Sequence, residues 1–301
     1  MSAPAIPAAT DSTPIKTGNT PPPKPVSGKK FDLAQPFVYL VALVVVAVTI
    51  APVLYVVLNG FRTTAQLNAD PAGLPDPWVF SHYTGVFTSP MFWVQFGNST
   101  MVALATTAGV VLMGVMAAFV IARYDFRGRS VLFSFFVAGM LFPATVAILP
   151  LFTMIREMGL YGNLLAVIIP QVAFQLPMTI IILVPFIRAI PAELEEAATL
   201  DGASRIGFFL RVILPLSGPG LVTVGVIAFV GSWNAYLLPL LLLGDPATAT
   251  LPVGVQYYST AYSQDTAGVL AFTSVAMLPA ILFFTLAQRR IVSGLTGAVK
   301  G

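Results

Sequence analysis

Three of the chain's twelve acidic residues, Glu195, Glu196 and Asp201, fall within the stretch EEAATLDGA, and Glu193 stands just ahead of it. Carboxylates this dense can pair with basic groups, and near the start of a helix they also meet its positive end. A second group with chemical reach is uncharged. Gln171, Gln175, Ser232, Trp233, Asn234 and Tyr236 place amides, a hydroxyl, an indole and a phenol in otherwise apolar sequence. Other chemistries drop out. Without cysteine there is no disulfide, iron–sulfur cluster or thiol nucleophile. The one histidine, His82, has no acidic cluster beside it, which argues against a zinc site and leaves it as a loop residue. No G-x-x-x-x-G-K-[ST] phosphate loop is present, so any ATP is bound by another chain.

The elements that must position these residues are membrane spans. The chain is 57% hydrophobic and 9% charged, with a mean hydropathy of +0.87, outside the range of ordinary soluble domains. Charge-free runs near the roughly 20 residues that cross a bilayer read at 36–58, 98–122, 131–155, 164–187, 218–243 and 267–288, predicting six transmembrane helices in an all-α integral membrane fold. An even number puts both termini on one side. Basic residues stay cytoplasmic in short loops. Lys16, Lys24, Lys29, Lys30, Arg123, Arg127, Arg129, Arg188, Arg205, Arg211, Arg289, Arg290 and Lys300 fall on the side of the termini, against Arg62 and Arg156 on the other. Both termini and EEAATLDGA are therefore read as cytoplasmic. The net charge of +3 reflects this bias and gives no reason to invoke nucleic acid. Residues 1–30, rich in Pro, Ser and Thr, are read as a disordered cytoplasmic tail, with no cleavable signal peptide, and residues 31–301 as the transmembrane domain.

Proline in a helix removes a backbone hydrogen bond. Pro143, Pro150, Pro170, Pro177, Pro185, Pro239 and Pro279 therefore predict broken spans that enclose a pathway. Ala105, Gly109, Gly114 and Ala118 form a strip of small residues that lets another helix approach, and a neighbouring subunit is expected to cover it. No ionisable residue lies inside a span to couple an ion gradient, so energy must arrive from outside the bilayer.

The loop of about 188–215 is where it can arrive. Pro191 suits the first turn of a helix carrying Glu193, Glu195 and Glu196 at its positive end. Gly202 supplies a conformation that other residues avoid, and Ala203–Arg211 begins a second helix that Leu214 and Pro215 join to the membrane. The product is a rigid charged hairpin suited to docking on a partner.

At this point the sequence resembles a known family. Glu196-Ala197-Ala198, three residues, Gly202, nine residues, Val212, one residue, Leu214-Pro215 is similar to the EAA loop of ABC-importer membrane subunits, with Val212 in place of the usual isoleucine. Asn98-Ser99, Ala122-Arg123-Tyr124-Asp125-Phe126-Arg127-Gly128, Phe142-Pro143, Ile190-Pro191 with Glu193-Leu194-Glu195-Glu196, Trp233-Asn234, Thr250-Leu251-Pro252-Val253-Gly254 and Gly294-Leu295-Thr296 with Val299-Lys300-Gly301 resemble the MalG-like permeases of carbohydrate importers. The family often has an acidic residue after Trp-Asn. Here it is Ala235, and no role for that acid carries over.

The resemblance implies a type I ABC importer permease fold in a bacterial cytoplasmic membrane. It further implies a second homologous permease, two cytoplasmic ATPase subunits that bind ATP and Mg²⁺, and an extracytoplasmic sugar-binding protein; this chain itself is no enzyme and carries no cofactor. The EAA loop, here Glu193, Glu195, Glu196, Ala197, Ala198, Asp201, Gly202, Ala203, Arg211, Leu214 and Pro215, would couple to the ATPase, with Glu196 facing a basic group there. Trp233, Asn234, Tyr236, Gln171 and Gln175 are the candidate substrate pathway, because amides pair with sugar hydroxyls and rings with their flat C–H faces. Trp233 and Asn234, being sequence neighbours, do not share a helical face. Within Asp245–Gly268, Tyr257 and Tyr258 are candidate contacts for the binding protein. Two rivals are an ABC permease for a non-sugar solute, which would share the EAA loop but not the GLTGAVKG ending, and a stand-alone secondary carrier.

Overall fold

The structure is a computed structural model and describes residues 34–258 and 265–299, with side-chain placement absent for residues 34, 35, 258, 287 and 289–299. The N-terminal tail of residues 1–30, the loop 259–264, the Tyr258 side chain and Lys300 lie outside the described residues. Among those described, every regular element is helical.

Helix α1 spans Ala34–Asn59. Its residues as far as Thr49 belong to a unit counted apart from Ile50–Gly301. Residues 36–48 are almost wholly apolar and exposed, Phe37, Leu43 and Val48 among them, as in a helix made to meet an apolar surrounding. In the second unit, α2 (Thr64–Ala69) starts with a capping box in which Thr63 and Gln66 satisfy each other's backbone N–H groups. Buried Arg62 secures this turn, donating to Asn59 Oδ1 at 2.9 Å and to the Gln66 and Asp70 carbonyls at 2.9 and 2.8 Å. Helix α3 (Ser81–Thr88) brings Tyr83 against Phe61, ring centroids 4.3 Å apart, and His82 Nδ1 to 3.6 Å from Asp265 Oδ2.

Helix α4 (Pro90–Arg123) begins with proline at its first position, where a missing N–H costs nothing, under a Ser89 cap. Next come α5 (Arg129–Gly139), α6 (Ala144–Glu157) and α7 (Leu165–Arg188). Helix α8 (Glu193–Leu200) leads into α9 (Arg205–Phe208), a π turn at Phe209–Ile213 and α10 (Leu214–Leu216). Helices α11 (Gly218–Trp233), α12 (Leu237–Leu243) and α13 (Leu251–Gly254) precede a 3₁₀ turn, Val255–Tyr258, and the long α14 (Thr266–Val299).

Among the described residues four helices, α1, α4, α7 and α14, are long and apolar enough to cross a membrane, and the number is six if each of two bent pairs is one span. One pair is the break expected at Pro143, and the other corrects the sequence reading. The third span is two helices, α5 and α6, meeting at 96°. Pro143, which has no N–H to offer the preceding turn, caps α6 there. The fifth span ends at Trp233 rather than at residue 243; α11 instead pairs with residues 205–216 at 75°, and Leu237–Leu243 is a separate helix. Conversely, Pro170, Pro177 and Pro185 do not break α7, which runs through all three. Pro191 lies ahead of α8, whose N-cap is Ala192.

Helix α4 packs mainly on α7 and then on α11, and α11 packs on α14. One core joins Val115, Ala118 and Ile121 of α4 to Ile180, Leu183 and Ile187 of α7 and Val224 of α11. Another gathers Phe92, Ala103, Phe229, Trp233, Leu251 and Phe272. Between spans the hydrophobic effect gives little, so close packing must hold them. The small-residue strip provides it inside this chain. A Cβ on Gly109 would stand 2.8 Å from Val172 Cγ2, and one on Gly114 would overlap Thr179 Cγ2. The expectation that a neighbouring subunit covers the strip is corrected: α7 does.

Candidate functional site

Glu193, Glu195 and Glu196 occupy the first turn of α8, against its positive end. The helix closes in a left-handed turn at Gly202 (φ 76°). Ala203 N–H reaches back to the Ala198 carbonyl at 2.9 Å and Gly202 N–H to Thr199 at 3.0 Å, the paired bonds of a Schellman end. This explains Gly202. No side chain crowds it, but its backbone angle strains any other residue. Ser204 then caps α9 through the Gly207 N–H at 3.1 Å. Pro215 has no N–H for the Arg211 carbonyl, and just before it the chain widens into the π turn.

The hairpin has two faces. Glu193, Glu196, Ala197, Leu200, Asp201 and Arg211 are exposed, as is Pro215, whereas Ala198 and Leu214 pack against the α4–α7 core beside buried Phe208. Glu195 differs from its neighbours. Its Oε2 accepts from Arg123 Nε at 2.9 Å, and Arg123 Nη2 lies 2.9 Å from the same oxygen. Arg123 Nη1 also donates to the Ile190 carbonyl at 2.7 Å. Nearby, the Arg205 guanidinium lies 5.0 Å over the Tyr124 ring. Burial, and next the Glu195 charge, raise the Tyr124 phenol's pKa above the ordinary tyrosine value. Sequence reasoning counted Arg123 only as a topological charge. Its place in ARYDFRG, one of the motifs noted above, was the available signal.

The uncharged polar residues do not form one site. Gln171 is buried, its Oε1 accepting from Thr106 at 3.2 Å and from Ser232, so it ties α4, α7 and α11 together. Its Nε2 is buried without a partner. Gln175, one turn on, is half-buried and lines a small separate cavity of about 110 Å³ with Phe174 and Ile227. Trp233 is buried, stacked on Phe229, and donates from Nε1 to the Ala276 carbonyl at 3.1 Å. Asn234 and Tyr236 are exposed where α11 ends. With the Trp233 edge, Pro252, Gln256 and Thr273 they line an open cavity of about 460 Å³. Gln256 Nε2 donates to the Tyr236 hydroxyl. Gln256 was missed in sequence because it stands in the 3₁₀ turn Val255–Tyr258, far along the chain from the Trp-Asn pair.

Asn98 and Ser99 hold that loop. Asn98 Nδ2 donates to the Ala247 and Ala249 carbonyls at 2.9 and 3.0 Å, and Ser99 Oγ accepts from the Leu251 N–H at 2.7 Å. A Cβ on Gly254 would overlap Gln95, so the TLPVG turn lies directly on α4. Tyr257, with its phenol pKa raised by burial and then by Asp245, is still about half exposed. Replacing Asn98 with leucine removes two hydrogen bonds, each worth about 0.5–1.5 kcal/mol. Hydrogen exchange at residues 245–251 is expected to rise in Asn98→Leu while exchange in α7 stays as in the native chain.

Residues 110–297 match the family described as binding-protein-dependent transport system inner membrane component. The chain belongs to this family. The permease is 33% identical over 273 residues to the sulfoquinovosyl glycerol transport system permease protein SmoH of Agrobacterium fabrum, with 90% of this chain and 96% of that one covered. It is 36% identical over 260 residues to the trehalose transport system permease protein SugB of Mycobacterium tuberculosis, covering 85% and 94%. In fold it is similar to a chain of a bacterial ABC transporter involved in the import of the acidic polysaccharide alginate, with a TM-score of 0.70 at 20% identity over 87% of this chain and 99% of that one. The permease is thus a membrane-embedded subunit of an ABC importer, with the type I permease fold, and is not an enzyme.

Proposed function

We propose that the permease carries a carbohydrate, forming half of a translocation pathway with a second homologous permease. Relatives matched over nearly their whole length support this reading most directly, since the names of SmoH and SugB specify a sugar glycoside and trehalose. The α11-end cavity agrees in chemistry: an exposed amide at Asn234, the paired Tyr236 and Gln256, and an indole edge from Trp233 suit hydroxyls and C–H faces. Gln171, buried in its own ladder, serves packing in this reading, and Gln175 stays a candidate for a separate part of the path.

Both termini and α8 face the cytoplasm, where the exposed Glu193, Glu196 and Ala197 dock on one of two ATPase subunits that bind ATP and Mg²⁺. The opposite end, with Tyr257, Tyr258 and the Asn98-held loop, meets an extracytoplasmic sugar-binding protein. Reconstitution in liposomes tests the assembly. ATP-dependent uptake of labelled trehalose or another relative's sugar is expected only with both permeases, the ATPase and the binding protein present; uptake by this chain alone would overturn the reading. For the cavity, Asn234→Ala removes one side-chain hydrogen-bonding group, and at limiting substrate uptake is expected to fall up to about tenfold, the scale of one lost hydrogen bond. Normal uptake in that variant would make Asn234 a surface residue without a pathway role.

A further inference from the structure

We infer that Arg123 is a strut that fastens α8 to α4, making α4 a direct recipient of movement in the hairpin; this rests on the reading of α8 as the ATPase-docking helix. Connectivity alone would pass such movement only to the flanking helices, α7 before the hairpin and α9–α11 after it. Arg123 adds a helix distant in sequence.

The geometry is that of a fastening. Arg123 is the last residue of α4, where a cation also favours the helix's negative end. Its side chain is 7% exposed, against 30% for Glu195. One planar guanidinium touches three segments: Glu195 of α8 through Nε and Nη2, the Ile190 carbonyl of the α7–α8 link through Nη1, and the Phe208 ring of α9 at 5.8 Å. Helix α8 itself buries no residue. With so little packing, the charge-assisted bond from Arg123 Nε to Glu195, with Nη2 adding a close charge contact to the same oxygen, fixes its position, and the shielding of Arg123 from water keeps the pair from the weakness of exposed ones. Glu195 and Glu196 therefore divide the work: Glu195 faces inward to Arg123, and Glu196 is left free on the outer face. Since α4 packs on both α7 and α11, the strut makes these three helices and the hairpin move as one body.

Lysine cannot reproduce the fork, because a point charge reaches Glu195 or the Ile190 carbonyl but does not brace both in one plane. Arg123→Lys and Glu195→Gln are the two variants to compare, the second at a partly exposed position where misfolding is less of a risk. The chain has no cysteine, so Thr199→Cys on α8 and Met113→Cys on α4, both exposed, give unique spin-label sites. The distance between them is measured by pulsed electron resonance in the purified complex in nanodiscs, without nucleotide and after trapping with ATP and vanadate.

With the strut intact, one narrow distance should persist in both states. In either variant the distribution should broaden in both states while the ATPase still co-purifies, and stimulation of ATP hydrolysis by the binding protein should drop about tenfold, within the usual range of coupling between sites. Native-like distances in both variants would overturn the proposal. Loss of the ATPase in both would also overturn it by assigning the pair to the docking surface. If the native chain retains no ATPase, the docking reading fails instead, and the nucleotide-free label widths still decide whether the strut exists.

Discussion

Glu196→Lys is expected to leave the chain folded and inserted while releasing the ATPase, and Gly202→Pro to do the same by a different route. Glu196 has an exposed side chain on α8 with no ion pair among the described residues, so its reversal costs the chain only the favourable charge at the helix start, about 0.3–1 kcal/mol. At the docked surface it sets like charges together. Losing one partner of a buried charge pair costs about 2–5 kcal/mol, roughly thirtyfold to several thousandfold in affinity. Gly202→Pro instead forces φ from 76° to about −65° and deletes the N–H that bonds to Thr199. The Schellman end is lost, and α8 no longer presents its outer face in one orientation. ATPase retention during purification checks both variants, with membrane insertion as the control. Full retention in Glu196→Lys would remove that residue from the docking surface.

Gly114→Leu is expected to have the largest effect on stability. A Cβ at Gly114 already overlaps Thr179 Cγ2, with Thr179 Cβ at 3.3 Å; Cβ is fixed by the α7 backbone, and turning Cγ2 away disturbs the hydrogen bond from Thr179 Oγ1 to the Gln175 carbonyl. Overpacking of a well-packed core typically costs about 1–3 kcal/mol, and leucine brings three further carbons into this site. The consequence should be separation of α4 from α7, seen as a lowered unfolding temperature or loss of monodisperse protein in detergent. Gly225→Ala on α11 is the matched control. Its nearest neighbours, Val111 Cγ2 and Thr107 Cγ2, would be at 3.7 and 3.9 Å, ordinary contacts, and alanine is the better helix former. That variant should be as stable as the native chain or slightly more so. Equal stability of Gly114→Leu and Gly225→Ala would refute the close α4–α7 approach.

The spans and the hairpin were legible in sequence for physical reasons. Continuous apolarity marks a helix in lipid whatever it packs against, and Gly202 marks a left-handed turn because few other residues adopt one. Proline was misread where it depended on surroundings. At Pro143 it separates two helices, yet α7 continues through Pro170, Pro177 and Pro185, since a membrane helix tolerates lost bonds when its neighbours support it. The strip of small residues showed that a helix comes close, but not which one. For the same reason Arg123 and Gln256 escaped notice: each acquires its meaning from a partner far along the chain, Glu195 in one case and Tyr236 in the other. Trp233 and Asn234 illustrate the limit in a single pair. Adjacent in sequence, they diverge because α11 ends between them, turning the ring into the core and the amide outward.

Helix α4 runs without a break through 34 residues, with its only proline at its first position. At 1.5 Å per residue it is a rod of about 50 Å. Asn98 and Ser99 grip the 245–251 loop near one end, and Arg123 grips the hairpin at the other. Coupling between two sites through one body is symmetric in free energy. Whatever preference the hairpin end imposes on the loop end is therefore returned in equal measure, so a substitution that weakens the Asn98 grip should also alter, by the same factor, how strongly nucleotide-driven closure is favoured when the loop is engaged.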